Sequence, residues 1–176
     1  MVQPIRRVVT GVDADGRSCV IFDGHAGAVQ EMASMPGVAL TDLWETRATP
    51  ADNTGAQDAT ARPVRLEPPT SGSIFRIVEF PPDTMWRGTA DSGSAFSSIG
   101  ASHAPDEGST DPMRHKTATI DYIVVVSGEI YAILDNEETL LKAGDTLVQR
   151  GTVHSWSVRG DQPCIVAAIL IAAAPV

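Results

Sequence analysis

Met113-Arg114-His115-Lys116-Thr117-Ala118-Thr119-Ile120-Asp121-Tyr122-Ile123-Val124-Val125-Val126-Ser127-Gly128-Glu129 is the most informative stretch of this chain. Two shorter pieces complete it, Leu141-Lys142-Ala143-Gly144-Asp145-Thr146 and Gln149-Arg150-Gly151-Thr152-Val153-His154-Ser155-Trp156. Both histidines and the carboxylate sit among short β-type runs punctuated by glycine. Side chains alternate between the faces of a strand. His115, Thr117, Thr119, Asp121, Ile123 and Val125 therefore share one face, polar at one end and apolar at the other. Such a gradient suits the wall of a cavity that is wet at its mouth and closed at its base. His154, Trp156 and Val158 share a face by the same parity, whereas Tyr122 faces away from His115 and is expected in the core or at an interface.

Outward from this stretch the chain reads as a meander. Strands are expected at 120–126, 130–134, 139–142, 146–149, 153–158 and 165–171, with turn chemistry between them. Turns at such short intervals argue for an all-β sandwich or barrel. The last strand is apolar on both faces, so both faces should be covered. Upstream, Ser73 to Phe80 is a strand ended by Pro81-Pro82. Residues 83–112 carry four glycines and many serines, and read as a long loop leading into His115, placed to act as a lid. Residues 47–72 read as an exposed, partly mobile connection. Residues 5–22 read as a hairpin turning at Asp13-Ala14-Asp15-Gly16, broken by residues 23–27. Ala28 to Ser34 reads as a short helical turn stopped by Pro36-Gly37, and Val38 to Thr46 as a further strand. The organisation expected is an N-terminal arm with an exposed loop over 1–72 and a β-barrel over 73–176.

The chain has 176 residues, enough for one domain with a full core, and 43 % hydrophobic residues is ordinary. Thirteen basic against 22 acidic residues give a formal net charge of −9, and no Lys/Arg cluster occurs. A nucleic-acid partner is therefore not expected. Cys19 and Cys164 match no metal or redox spacing and are read as small core residues. No apolar signal-like run follows Arg6-Arg7, and the apolar C-terminal run is too short to cross a bilayer. A soluble cytoplasmic protein with no membrane partner is the expectation.

These residues resemble the cupin superfamily. The first cupin motif pairs His-x-His with a following Glu and Gly, and here His115, Thr117, Asp121 and Gly128 stand at the matching places. The second ends in Pro-x-Gly and a His, and here Gly144, Gly151 and His154 match, with Gln149 at the usual Pro and the first gap one residue shorter. Thr117 replaces a usual metal-binding His, and Asp121 replaces the usual Glu. The resemblance spans roughly residues 73–172 and looks like a small single-domain bacterial cupin with an altered metal motif. It implies a double-stranded β-helix, that is a jelly-roll barrel, with an N-terminal strand arm and long loops. In cupins such an arm often packs on a partner subunit. The uncovered strands at 38–46 and 165–171 add to the expectation of a homodimer.

Two readings of the site stay open. His115, Asp121 and His154 could bind one divalent metal (zinc, iron, manganese or nickel) facially. Alternatively no metal is bound, and they form a polar pocket in which Asp121 accepts hydrogen bonds from His115 or from Thr117 and Thr119. The same three groups are the candidate catalytic residues, because an imidazole beside a carboxylate can exchange protons near neutrality. Thr117, Thr119 and Trp156 are the expected substrate-binding wall. His103 and His25 are expected on the surface. The function expected is an enzyme of lyase or isomerase type on a small organic metabolite. The alternatives are a non-catalytic ligand-binding module and an iron-dependent dioxygenase.

Overall fold

The computed structural model describes residues 2–176. Eleven strands are present: β1 (Arg6–Val12), β2 (Ser18–His25), β3 (Ala28–Glu31), β4 (Ala39–Thr46), β5 (Ser73–Phe80), β6 (Thr119–Ser127), β7 (Glu129–Ile133), β8 (Glu138–Lys142), β9 (Thr146–Arg150), β10 (Ser155–Ser157) and β11 (Cys164–Ala172). A six-stranded sheet in the order β3-β4-β5-β11-β6-β9 faces a three-stranded sheet in the order β10-β7-β8, and β1-β2 form a separate hairpin. This is an all-β double-sheet jelly roll: the turn spacing predicts an all-β sandwich or barrel, and the resemblance of the two motifs implies the jelly roll. No described helix is long and apolar enough to cross a membrane.

The strand β11 lies at the centre of the larger sheet, between β5 and β6. Its apolarity on both faces follows from that position. Inward, Cys164, Val166, Ala168 and Leu170 join the main core. Outward, Ile165 and Ala167 pack with Ile77 and Leu43 under Ile5 and Ala26 from the N-terminal arm. The arm thus covers part of its own sheet. Beyond its reach Phe75, Tyr122, Val124, Val126 and Val148 remain exposed on that face.

Three local expectations are corrected. Residues 28–31 are a strand rather than a helical turn, because β4 offers them a full antiparallel ladder from Ala28↔Asp42 to Glu31↔Ala39. β3 and β4, both within residues 1–72, thereby complete the six-stranded sheet. Residues 23–25 do not break the hairpin, since Arg6 pairs with His25 across it. Cys19 is only half-buried in that hairpin, unlike Cys164.

Residues 47–72 are tied down rather than loose. Thr60, Val64 and Leu66 are buried. Arg62 pairs with Asp42 at 2.9 Å and with Glu45, and Arg65 pairs with Glu45 at 2.6 Å. The cause is electrostatic: β4 carries two buried carboxylates that would be costly without cations. Residues 83–112 are likewise ordered by contacts. Single 3-10 turns at Asp83–Met85 and Arg87–Thr89 precede helix α1 (Ser92–Ser98), whose N-cap Asp91 accepts from Ser94 N at 3.1 Å. Arg87 bridges Asp83 at 2.8 Å and Asp111 at 2.6 Å and donates to the Trp156 carbonyl. Asp83 accepts from Ser157 Oγ at 2.5 Å and Val158 N at 3.0 Å. The segment is therefore stapled to β10.

Gly128 shows why the first motif ends in glycine. Its φ is +76°, and a Cβ there would sit 2.5 Å from the Pro163 carbonyl oxygen and 2.9 Å from Cys164 Cα. Both the backbone conformation and the close approach of the β10–β11 connection demand the missing side chain.

Candidate functional site

Between the two sheets lies a cavity that offers about 90 Å³ to the centre of a water-sized molecule. Its wall is mostly apolar. His115, Asp121, His154, Trp156 and Arg76 supply the polar atoms, and Met32, Met35, Leu66, Phe96 and Ile99 help close it. The turn after β3, the 47–72 segment and α1 thus all contribute to the cover. Leu66 N donates to the Ile99 carbonyl at 3.0 Å, and Asp91 N to the Ser34 carbonyl at 3.1 Å.

His115 and His154 meet through their backbones. Each N–H donates to the other's carbonyl at 3.0 Å, an isolated antiparallel bridge. The rings stack at 4.4 Å between centroids, tilted by 53°. Phe96 packs on His115 at 4.9 Å, and Trp156 meets His154 edge-on at 5.8 Å. Each Nδ1 lies against a backbone carbonyl, Met113 O at 2.7 Å for His115 and Thr152 O at 2.9 Å for His154. A carbonyl can only accept, so both Nδ1 atoms carry the proton. The Nε2 atoms are then lone-pair acceptors, and neither has a hydrogen-bond partner among the described residues.

Burial holds both rings neutral. Desolvation pulls His115 below its ordinary value, against the Met113 carbonyl. Desolvation and then the adjacent His115 pull His154 down to about 3. Asp121 moves the other way. Burial pushes its carboxyl up to about 6, and the Thr119 hydroxyl and the Arg76 guanidinium offset this only in part.

The structure brings His115, Asp121, His154 and Trp156 to one cavity. It does not bring Thr117 and Thr119 there. Both are buried, but their hydroxyls bond each other at 2.7 Å and neither lines the space. The alternation of buried and exposed residues runs from His115 to Val125, so both threonines face inward as parity predicts, yet beside the cavity rather than on its wall. Of the hydrogen bonds expected at Asp121, none from His115 is formed; the Thr119 hydroxyl acts on the carboxyl, while Asp121 Oδ1 is buried with no hydrogen-bond partner. The facial metal set is also not formed. Among the described residues no three His, Cys, Asp or Glu side chains cluster closely enough to hold a metal ion. Thr117 occupies the place of a third imidazole with its hydroxyl already used, and Asp121 is a methylene shorter than the usual glutamate. His103 is exposed and pairs with Glu67 at 3.0 Å, and His25 is exposed, as expected. Tyr122 is 48 % exposed on the outer face.

Arg76 is the residue that reading the sequence missed. It is 1 % exposed, lines the cavity, and pairs with Asp42 at 2.9 Å. It sits in the inward register of β5 between Ile74 and Val78, where an arginine breaks an otherwise apolar face. That break was the available signal.

The cupin-domain family model matches residues 102–171, which hold both histidines, Asp121 and the turn glycines. Residues 102–171 thus carry a cupin domain. The chain is 29 % identical over 162 residues to the cupin-domain-containing oxidoreductase srdD of Neurospora crassa, covering 88 % of this chain and 67 % of that protein. It is 25 % identical over 154 residues to the cupin-domain-containing oxidoreductase virC of Hypocrea virens, covering 85 % and 65 %. A shorter match, 50 % identical over 50 residues, covers 28 % of this chain and 26 % of the phomopsin biosynthesis cluster protein D of Diaporthe leptostromiformis. The chain thus spans from about a quarter to two thirds of the length of these relatives. The cupin domain of Schizosaccharomyces pombe Cnp3 is similar with a TM-score of 0.46 at 11 % identity, covering 95 % of this chain and 87 % of that one.

A stability measurement checks the neutral imidazoles. The folded value of His154, about 3, lies below its unfolded value of about 6.5. The folded protein then binds fewer protons than the unfolded chain at acid pH. The stability contributed is full above about pH 6.5 and is lost as pH falls toward 3. Asp121, raised to about 6, contributes in the opposite sense and loses its part as pH rises from about 4 to 6. In urea unfolding, the stability advantage of wild type over His154→Asn should shrink by about 2 kcal/mol between about pH 7 and pH 5. An unchanged difference would mean that His154 is not held neutral.

Proposed function

We propose that this cupin is an enzyme of lyase or isomerase type that moves protons on a small, largely apolar metabolite in the central cavity. One observation carries the reading. Asp121 is a buried carboxyl with an unpartnered Oδ1, raised to about 6, sharing an apolar cavity with two neutral imidazoles. A carboxyl tuned near neutrality exchanges protons in both directions at working pH. The imidazole Nε2 lone pairs accept a hydrogen bond from the substrate and orient it. The apolar cover keeps water from competing. Relatives named as oxidoreductases or as products of biosynthesis clusters support small-molecule chemistry in general.

A panel of small apolar ketones and β-hydroxyketones in D2O, followed by proton NMR, tests this. Wild type should accelerate α-proton exchange, elimination or cleavage for at least one member, with an apparent pKa near 6 and no loss after chelator treatment. Asp121→Asn should slow it about 100-fold or more. Panel members that bind without any proton exchange would make the protein a binding module instead.

The homodimer is proposed on separate ground. Tyr122 lies beside Val148 on β9 and Ile169 on β11, and Ile169 lies beside Phe75 on β5, so an apolar row crosses four strands of the outer face. A second copy burying this row would remove it from water. Light scattering at high micromolar concentration should give twice the chain mass for wild type and a shift toward monomer for Val148→Lys. A monomeric wild type would refute the dimer.

A further inference from the structure

Resting on the reading above, the geometry points to a more specific ligand: we propose that the cavity takes a neutral hydroxyl group, an alcohol or phenol on an apolar body, lodged between the Arg76 guanidinium and the Asp121 carboxylate. Two buried polar atoms remain without partners here. Arg76 Nε is an unmatched donor, and Asp121 Oδ1 is an unmatched acceptor. Both side chains line the same cavity, from β5 and β6, with β11 between them. They share an electrostatic interaction, yet they form no ion pair with each other. An unmatched donor and an unmatched acceptor on two side chains that line one cavity call for a group that both accepts and donates. A hydroxyl does this with a single oxygen.

The rest of the Arg76 fork is already occupied. Its terminal nitrogens pair with Asp42 at 2.9 Å and donate to the Leu66 carbonyl at 3.3 Å and to the Arg65 carbonyl. These contacts fix the guanidinium in place, so the Nε–H direction is preset rather than adaptable. They also exclude a bidentate carboxylate, which would need two free donors. Charge points the same way. Arg62, Arg65 and Arg76 stand against Asp42, Glu45 and Asp121, and among the described residues the only further cation on the cluster, Arg47 at 3.1 Å from Glu45, is largely in solvent and remote from the cavity wall. A neutral hydroxyl leaves that balance intact, whereas an anionic ligand would add an unmatched buried charge. The surrounding Met32, Met35, Leu40, Phe80 and Leu170 suit an apolar ring or short chain.

Three probes of similar shape separate the possibilities: p-cresol, 4-methylanisole and 4-methylbenzoate, titrated at pH 7 by calorimetry or by ligand-observed NMR. The hydroxyl compound should bind about tenfold or more tighter than its methyl ether, since a hydrogen bond to a charged group is at stake. It should also outbind the carboxylate. Asp121→Leu should abolish the preference for the hydroxyl, and Asp121→Asn, which keeps an acceptor oxygen, should retain part of it. Wild type that prefers the hydroxyl yet shows no proton exchange leaves this ligand assignment standing and sinks the catalytic reading alone, whereas exchange without the preference does the reverse. Equal binding of p-cresol and 4-methylanisole overturns the assignment, as does tightest binding of 4-methylbenzoate, or a preference that survives in Asp121→Leu.

Discussion

The reciprocal backbone pair between His115 and His154 is the contact on which the rest of the site depends. Each residue lies outside the regular strands, one before β6 and one before β10. Their two hydrogen bonds at 3.0 Å join segments that belong to different sheets. That junction brings the rings into contact and spends both Nδ1 protons on backbone carbonyls. Tautomer and burial follow from the same local fold. The outcome is a pair of neutral acceptors enclosed by Phe96 and Trp156, where an isolated imidazole would be solvated and half-charged.

A second constraint surrounds the first. The larger sheet carries charges in its interior at Asp42, Glu45, Arg76 and Asp121, all under 9 % exposed. Arg62 and Arg65, drawn from a segment without regular strands, supply the missing cations. The ion cluster therefore fixes the 47–72 segment, which then presents Leu66 to the cavity. Buried pairs of this sort contribute little net stability but penalise any arrangement that separates them. They hold the cover of the cavity in one geometry. Asp121 alone is left outside the paired set, and it is the group whose proton affinity is displaced toward neutrality.

The strands from β5 onward were legible because their alternation and turn glycines are local signals. The larger part of the site was legible as well, through the parity of Asp121 and Ile123 and of His154 and Trp156. What was hidden depends on partners far along the chain. Residues 28–31 have no strand signal of their own, and β4 alone makes them a strand. The 47–72 and 83–112 segments look loose by composition, yet distant carboxylates and the backbone of β10 bind them. Thr117 and Thr119 do face inward as their parity indicates, but their hydroxyls satisfy each other beside the cavity rather than on its wall, a pairing that the sequence does not reveal. Among the described residues no metal-holding group of three is assembled, and the chain carries Asp121 and Thr117 where the cupin motif carries a glutamate and a second histidine.

The central claim is chemical: at neutral pH both imidazoles are uncharged, protonated at Nδ1, with Nε2 free to accept. Side-chain 15N NMR of uniformly labelled protein reads this directly. His115 and His154 should each show one protonated Nδ1 and one unprotonated Nε2 at pH 7, and His154 should keep that pattern below pH 5, well under the ordinary histidine range. Nitrogen shifts of a charged imidazolium at pH 7, or of the opposite tautomer on either ring, would contradict the account.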